Sequence, residues 1–358
     1  MKYTRREFAR LALAVAPAAA FLLKPSSLLG AGATPSARPN SKWAGVQVGL
    51  NVPYSFGTRT AMTAEDILAR CIELGVSGME LRAQAIEKSF GLPENLMLGP
   101  ALSDYQGARA RVGDIPGITP IAPPPASGAG RGTAGGRMPQ TPEEIAAYQA
   151  TATELRAWRL AVPMSKAREL RAKFEAVGVD IGIVKFDGIA DLDDAELDYA
   201  FTLAKALGAR GISGELSMAA AKRLGAAADR NQLFVAHHAH LAGSPAIYEE
   251  AMSYGKYAGM NLDIGHFIAG NYGSPLPFIQ KHHARITHLH VKDRLKDGGP
   301  NVAFGQGNTP IREILQQIRD NRWPIQAIIE FEIPMPPTQD RTPEILKCLE
   351  YCKHCLLS

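Results

Sequence analysis

Cysteine is scarce in this sequence, with four residues among 358. So few exclude a small disulfide-stapled scaffold. Cys71 stands alone in a helical pattern. Cys348, Cys352 and Cys355 recur at i, i+4 and i+7, which is one helix face. They include a Cys-x-x-Cys, but it lies near the end of the chain with no strand–helix–strand context. The trio therefore reads as an apolar docking face rather than a redox or zinc site. No apolar run approaches the roughly 18 residues of a membrane-spanning helix. No Gly-x-Gly-x-x-Gly opens a helix after a strand, because Gly305-Gln306-Gly307 leads to Pro310 instead. Dinucleotide chemistry is thus unsupported. An activated Ser or Cys nucleophile and an internal repeat are also missing.

An excess of one charge is lacking too, once the N-terminus is set aside. Near its start the chain carries Thr4-Arg5-Arg6-Glu7-Phe8 and then a 13-residue apolar run, 11–23. Small residues at Ala31-Gly32-Ala33 follow. This pattern predicts a twin-arginine (Tat) export signal over 1–33, and hence an exported or periplasmic protein. Uncleaved retention as a membrane anchor stays open. Residues 1–33 carry five basic side chains and one acid, so removing them lowers the formal charge from +4 to zero. A neutral mature chain offers nothing to the phosphates of a nucleic acid. Residues 34–43, rich in Pro, Ser and Ala, read as a flexible leader.

Residues 44–358 remain, enough for one large domain. Short apolar runs at 46–50, 78–81, 180–185, 209–213, 233–236, 259–262, 286–291 and 325–329 predict strands. Helical patterns lie between them. Thr63 caps one helix before Ala64-Glu65-Asp66, and Gly75 stops it. Others are predicted at 142–159, 165–177, 194–207, 219–228, 245–257, 276–283, 311–322 and 343–356. A Pro/Gly-rich stretch at 113–140 interrupts the rhythm as an inserted surface loop. Eight strands in alternation with helices predict an α/β fold, a TIM (β/α)8 barrel rather than an open doubly wound sheet.

The candidate site is at the strand ends. In such a barrel, residues at the C-terminal ends of the strands converge on one mouth. Taken in order these are Glu215, then His238 and His240, then Asp263 and His266, then His290, then Glu330. Carboxylates and imidazoles together suit a divalent ion such as Mn²⁺, Zn²⁺, Mg²⁺ or Co²⁺. The same residues admit plainer readings. Asp263 can cap the turn after it, the histidines can be hydrogen-bonded core residues, and Glu215 can be an acid at a helix N-terminus. Lys292 and Asp293 either support the site and bind hydroxyls or form a surface ion pair.

The segments NLDIGH (261–266), HLHVKD (288–293), GQGNTPI (305–311) and IIEFE (328–332) resemble the xylose isomerase-like family of sugar isomerases and epimerases. The resemblance runs from about 46 to 333. It implies four metal ligands at Glu215, Asp263, His290 and Glu330. His238 is an alternative ligand, since AHHAH (236–240) is similar to the YHNH of other branches. It implies that His266 contacts substrate; read from their place at the mouth, His238, His240, Lys292 and Asp293 are further substrate-binding candidates. The implied chemistry is proton transfer beside a carbonyl through an enediolate, with Glu215, Glu330 and His266 as catalytic groups. The substrate would be a free or glycosidically linked sugar. The alternatives are a non-catalytic sugar-binding barrel and a lyase or hydratase on keto-glycosides. A homo-oligomer is left open. An endonuclease of the same fold would need histidines on the second and third strands, and neither strand has one.

Overall fold

The computed structural model describes residues 38–57, 62–98, 141–336 and 338–358. Eight strands carry the architecture: β1 (Val46–Val52), β2 (Gly78–Arg82), β3 (Asp180–Lys185), β4 (Gly211–Glu215), β5 (Phe234–His238), β6 (Ala258–Asp263), β7 (Ile286–Val291) and β8 (Gln326–Ile329). Each pairs in parallel with the next, and β8 pairs with β1. The sheet is therefore a closed barrel with helices in its crossovers, the expected TIM (β/α)8 fold.

Local chemistry explains the element ends. Thr63 and Asp66 form a reciprocal capping box at the start of Ala64–Leu74, and Gly75 closes that helix at φ 70°. Asp193 and Glu196 repeat the device on Asp194–Leu207, which Gly208 ends at φ 77°. Ile311–Asp320 buries Ile311, Ile314, Leu315 and Ile318, the 3.6-residue stripe of a helix lying on the barrel. Thr342–Leu357 buries Cys348, Cys352 and Cys355 as expected, and all three are free thiols. Burial pushes the Cys348 thiol up to about 12, which suits an inert packing residue.

The fold departs from the sequence reading in two respects. Residues 38–43 do not all belong to a loose leader. Lys42–Trp43 pairs antiparallel with the start of β1, and Ser41 is fully buried, its hydroxyl donating to the Val48 carbonyl at 2.6 Å. Two short helices, Ala83–Ser89 and Ile264–Ala269, begin directly at the ends of β2 and β6. They were not foreseen because no spacer sets off a separate hydrophobic period. The signal and the inserted loop at 113–140 lie outside the described residues. Among the described residues, no helix is long and apolar enough to cross a membrane.

Candidate metal centre at the barrel mouth

The last residues of β5 and β6, the penultimate residue of β7 and the first residue after β8 converge on one point. His238, Asp263, His290 and Glu330 are all buried, and one ligand-capable atom from each lies within 4.8 Å of the others. Alternation puts them there. Along β6, Asn261 and Asp263 share a face, and along β7, His288 and His290 do the same. His290 Nδ1 is 3.1 Å from Glu330 Oε2 and 3.9 Å from Asp263 Oδ2. His238 Nδ1 is buried with no hydrogen-bond partner. Two imidazoles and two carboxylates within coordinating distance of one another form a donor set that fits a divalent ion.

Glu215 is not within this set. It ends β4, with Oε1 3.9 Å from His238 Nε2 and 3.4 Å from Lys185 Nζ, and Oε2 3.5 Å from His240 Nδ1. His238 thus belongs both to the four-residue cluster and to a second group with Glu215 and His240. Glu215 is not a helix acid either, because the following helix, Met218–Asn231, starts at an Ser217 N-cap and has no acid in its first turn.

Asp263 caps the helix after it and also faces the cluster. Its Oδ1 accepts from the His266 backbone N–H at 2.8 Å, capping Ile264–Ala269, while Oδ2 faces Lys292 Nζ at 2.9 Å. That cap carries His266 to the mouth. Arg294 Nη1 donates to His266 Nδ1 at 2.6 Å. The ring's proton is then on Nε2, a buried atom with no hydrogen-bond partner. Burial, with Lys292 and His240 adding to it, holds His266 well below its ordinary pKa, so the ring is a neutral N–H donor.

Lys292 is no surface ion-pair residue. It is 2% exposed, and its ammonium contacts Asp263, Glu330 and Glu332. Burial works against its charge, but those carboxylates win and raise its pKa well above the ordinary value. Glu330 shows the converse. Burial would raise it, yet His290 and Lys292 hold it well below the carboxylate range, so it is ionised. Asn51 Nδ2 donates to Glu330 Oε1 at 2.8 Å, and the Tyr54 hydroxyl donates to Glu332.

Asp293 needs correction. Both of its oxygens are taken by the loop after β7. Oδ2 accepts from the N–H groups of Gly305 and Gly307 at 2.8 and 2.9 Å, and Oδ1 from Thr309 N–H at 3.1 Å. It anchors the GQGNTPI loop rather than awaiting a substrate hydroxyl. A Cβ at Gly307 would come within 2.1 Å of Asp293 Oδ1, which accounts for that glycine.

Two groups were missed. Arg82, at the end of β2, is 4% exposed and paired with Asp187. Glu80, on the same strand, is fully buried among His288, His290 and Ser213. A lone acid inside the buried strand GMELR was a signal available in the sequence.

No family model matches the chain, and no curated protein is significantly similar to it. Solved structures do match. An uncharacterised protein from Parabacteroides distasonis aligns with a TM-score of 0.50 at 18% identity, over 87% of this chain and 99% of that one. A xylose isomerase domain protein from Alicyclobacillus acidocaldarius aligns at 0.50 and 13% identity, over 87% of this chain and all of that one. With its eight parallel strands closed in a ring and helices between them, the chain has a TIM-barrel fold, to which these solved structures are similar.

Proposed function

We propose that the mouth is the active site of a divalent-metal-dependent sugar isomerase or epimerase. The observation that carries this reading is the convergence of His238, Asp263, His290 and Glu330 from four consecutive strands. These four would hold the ion, with His238 taking the place that the sequence resemblance implied for Glu215. When bound, a divalent ion polarises a carbonyl and stabilises charge developing on its oxygen.

The remaining steps belong to side chains. Glu215 ends β4 and Glu330 follows β8, so the two carboxylates belong to opposite sides of an eight-strand ring. Glu215, outside the ligand set, is the base proposed to remove the proton beside the carbonyl. Return of a proton from the Glu330 side, where Lys292 and Glu332 sit, gives the epimer or isomer. The neutral His266 offers Nε2–H to an oxygen of the resulting enediolate. Lys292 keeps Glu330 ionised, as a ligand requires. The proposed substrate is a free or glycosidically linked sugar or keto-sugar, because an exported enzyme meets few sugar phosphates.

The test is proton exchange. Purified protein loaded with Mn²⁺ and incubated in deuterated water with aldoses, ketoses and keto-glycosides should incorporate deuterium beside the carbonyl. Asp263→Ala should lose both the ion and the exchange while staying folded, and Glu215→Gln should lose exchange by orders of magnitude but keep the ion. Turnover with full retention of a carbon-bound deuterium would replace the exchanging base by direct hydride transfer. Full metal occupancy in Asp263→Ala would remove the ligand assignment.

A further inference from the structure

The interior of a TIM barrel is normally filled by layers of branched apolar side chains. Here a carboxylate sits in it. Glu80, in the middle of β2, is fully buried. An ionised carboxylate in such a place costs several kcal/mol unless its oxygens are satisfied. They are satisfied by three donors from across the ring. His290 Nε2 is 2.6 Å from Glu80 Oε2. His288 Nε2 is 3.1 Å from Oε1, and the Ser213 hydroxyl donates to the same oxygen. Thr287 Oγ1 lies 2.8 Å from His288 Nδ1, so that ring is held at both nitrogens.

This arrangement decides which nitrogen of His290 faces the mouth. A carboxylate only accepts, so Nε2 carries the proton and points down to Glu80. Asn261 Nδ2 also lies 2.9 Å from Nε2, but an amide nitrogen only donates and so cannot take that ring proton from Glu80; turning the amide brings its buried, unpartnered Oδ1 to this side. Nδ1 is left on the side of Asp263 and Glu330. A histidine that donates one nitrogen to a carboxylate and presents the other to a metal is oriented and made more basic by that carboxylate.

We propose that Glu80 is a positioning residue for the metal centre. It fixes the ring of His290 and its tautomer so that Nδ1 is the ligating atom. The inference rests on the proposed ligand role of His290. The requirement is for two acceptor oxygens. A glutamine in the same place has one acceptor and one donor, so it cannot accept from both His288 and His290.

Two measurements test this. In the first, affinity for Mn²⁺ is titrated in the wild type and in Glu80→Gln, with thermal melting of the ion-free proteins alongside. Glu80→Gln should bind Mn²⁺ 10- to 100-fold more weakly, and Glu80→Asp should recover part of the loss. An unchanged affinity in Glu80→Gln overturns the proposal. The second uses unsubstituted protein, so a variant that fails to fold does not leave the question open. Protein labelled with ¹⁵N-histidine is loaded with ¹¹³Cd²⁺, and cadmium–nitrogen coupling identifies the ligating atom, the His290 signal being assigned by its loss in His290→Ala. Coupling to Nδ1 supports the proposal. Coupling to Nε2 overturns it while leaving the metal-centre reading intact. Cadmium bound without coupling to His290 takes down both.

Discussion

At the scale of single residues, β5 shows one strand dividing two histidines between different tasks. His238 joins the mouth, whereas its neighbour His237 falls on the opposite face of the strand, buried, with Nε2 unpartnered. Burial lowers His237 from its ordinary value near 6.5 to about 4. The folded protein therefore resists a proton that the unfolded chain accepts. The stability this group permits is complete above about pH 6.5 and is lost as pH falls toward 4, by roughly 3 kcal/mol. His237→Phe should flatten the decline of melting temperature between pH 6.5 and 4 relative to wild type. Parallel curves for the two proteins would show that His237 does not titrate with folding.

At the scale of elements, the long helix Pro142–Ala161 is held differently from its neighbours. Its buried residues are Leu155 and Arg159. Arg159 donates to Glu87 at 2.7 Å and to Glu196 at 3.0 Å, joining this helix to Ala83–Ser89 and Asp194–Leu207. Tyr199 adds a hydrogen bond to Glu87. Glu87 is 1% exposed, so removing its cation leaves a buried charge uncompensated. Arg159→Leu should cost about 3–5 kcal/mol, read as a lower midpoint in urea. The double variant Arg159→Leu/Glu87→Leu should recover much of that loss. A single variant as stable as wild type would mean that the charge is solvated or neutralised some other way. Glu87 and Arg159 lie in elements widely separated in sequence, and neither carries a motif, so this joint was invisible until the helices were packed.

At the scale of the whole molecule, the twin-arginine pattern bears on how the metal centre is filled. We propose export by the Tat route, which carries folded proteins, so the ion would be loaded before the chain leaves the cytoplasm. Replacing Arg5 and Arg6 by lysine should trap the precursor inside, as fractionation of cytoplasm and periplasm would reveal. Undiminished export of that double variant would remove the proposal, and with it the argument against sugar phosphates as substrates.

The element order was legible in the chain because its causes are local. Capping boxes at Thr63 and Asp193, glycines that end helices, and apolar runs of strand length lie within a few residues of what they specify. A (β/α)8 alternation also puts strand ends at one mouth, so Asp263, His290 and Glu330 could be chosen as a group before any contact was known. The tertiary structure decided what depends on closing the ring. Only the register of β4 against β5 sets Glu215 beside His238 and His240 rather than within the four-residue cluster. Only the fold of the loop after β7 brings three backbone N–H groups onto Asp293. Glu80 reaches His290, 210 positions away in sequence, because β2 and β7 both line the barrel interior. Periodicity and capping are written in neighbouring residues. Contacts across a closed sheet depend on the pairing of all eight strands, which no single stretch of sequence encodes.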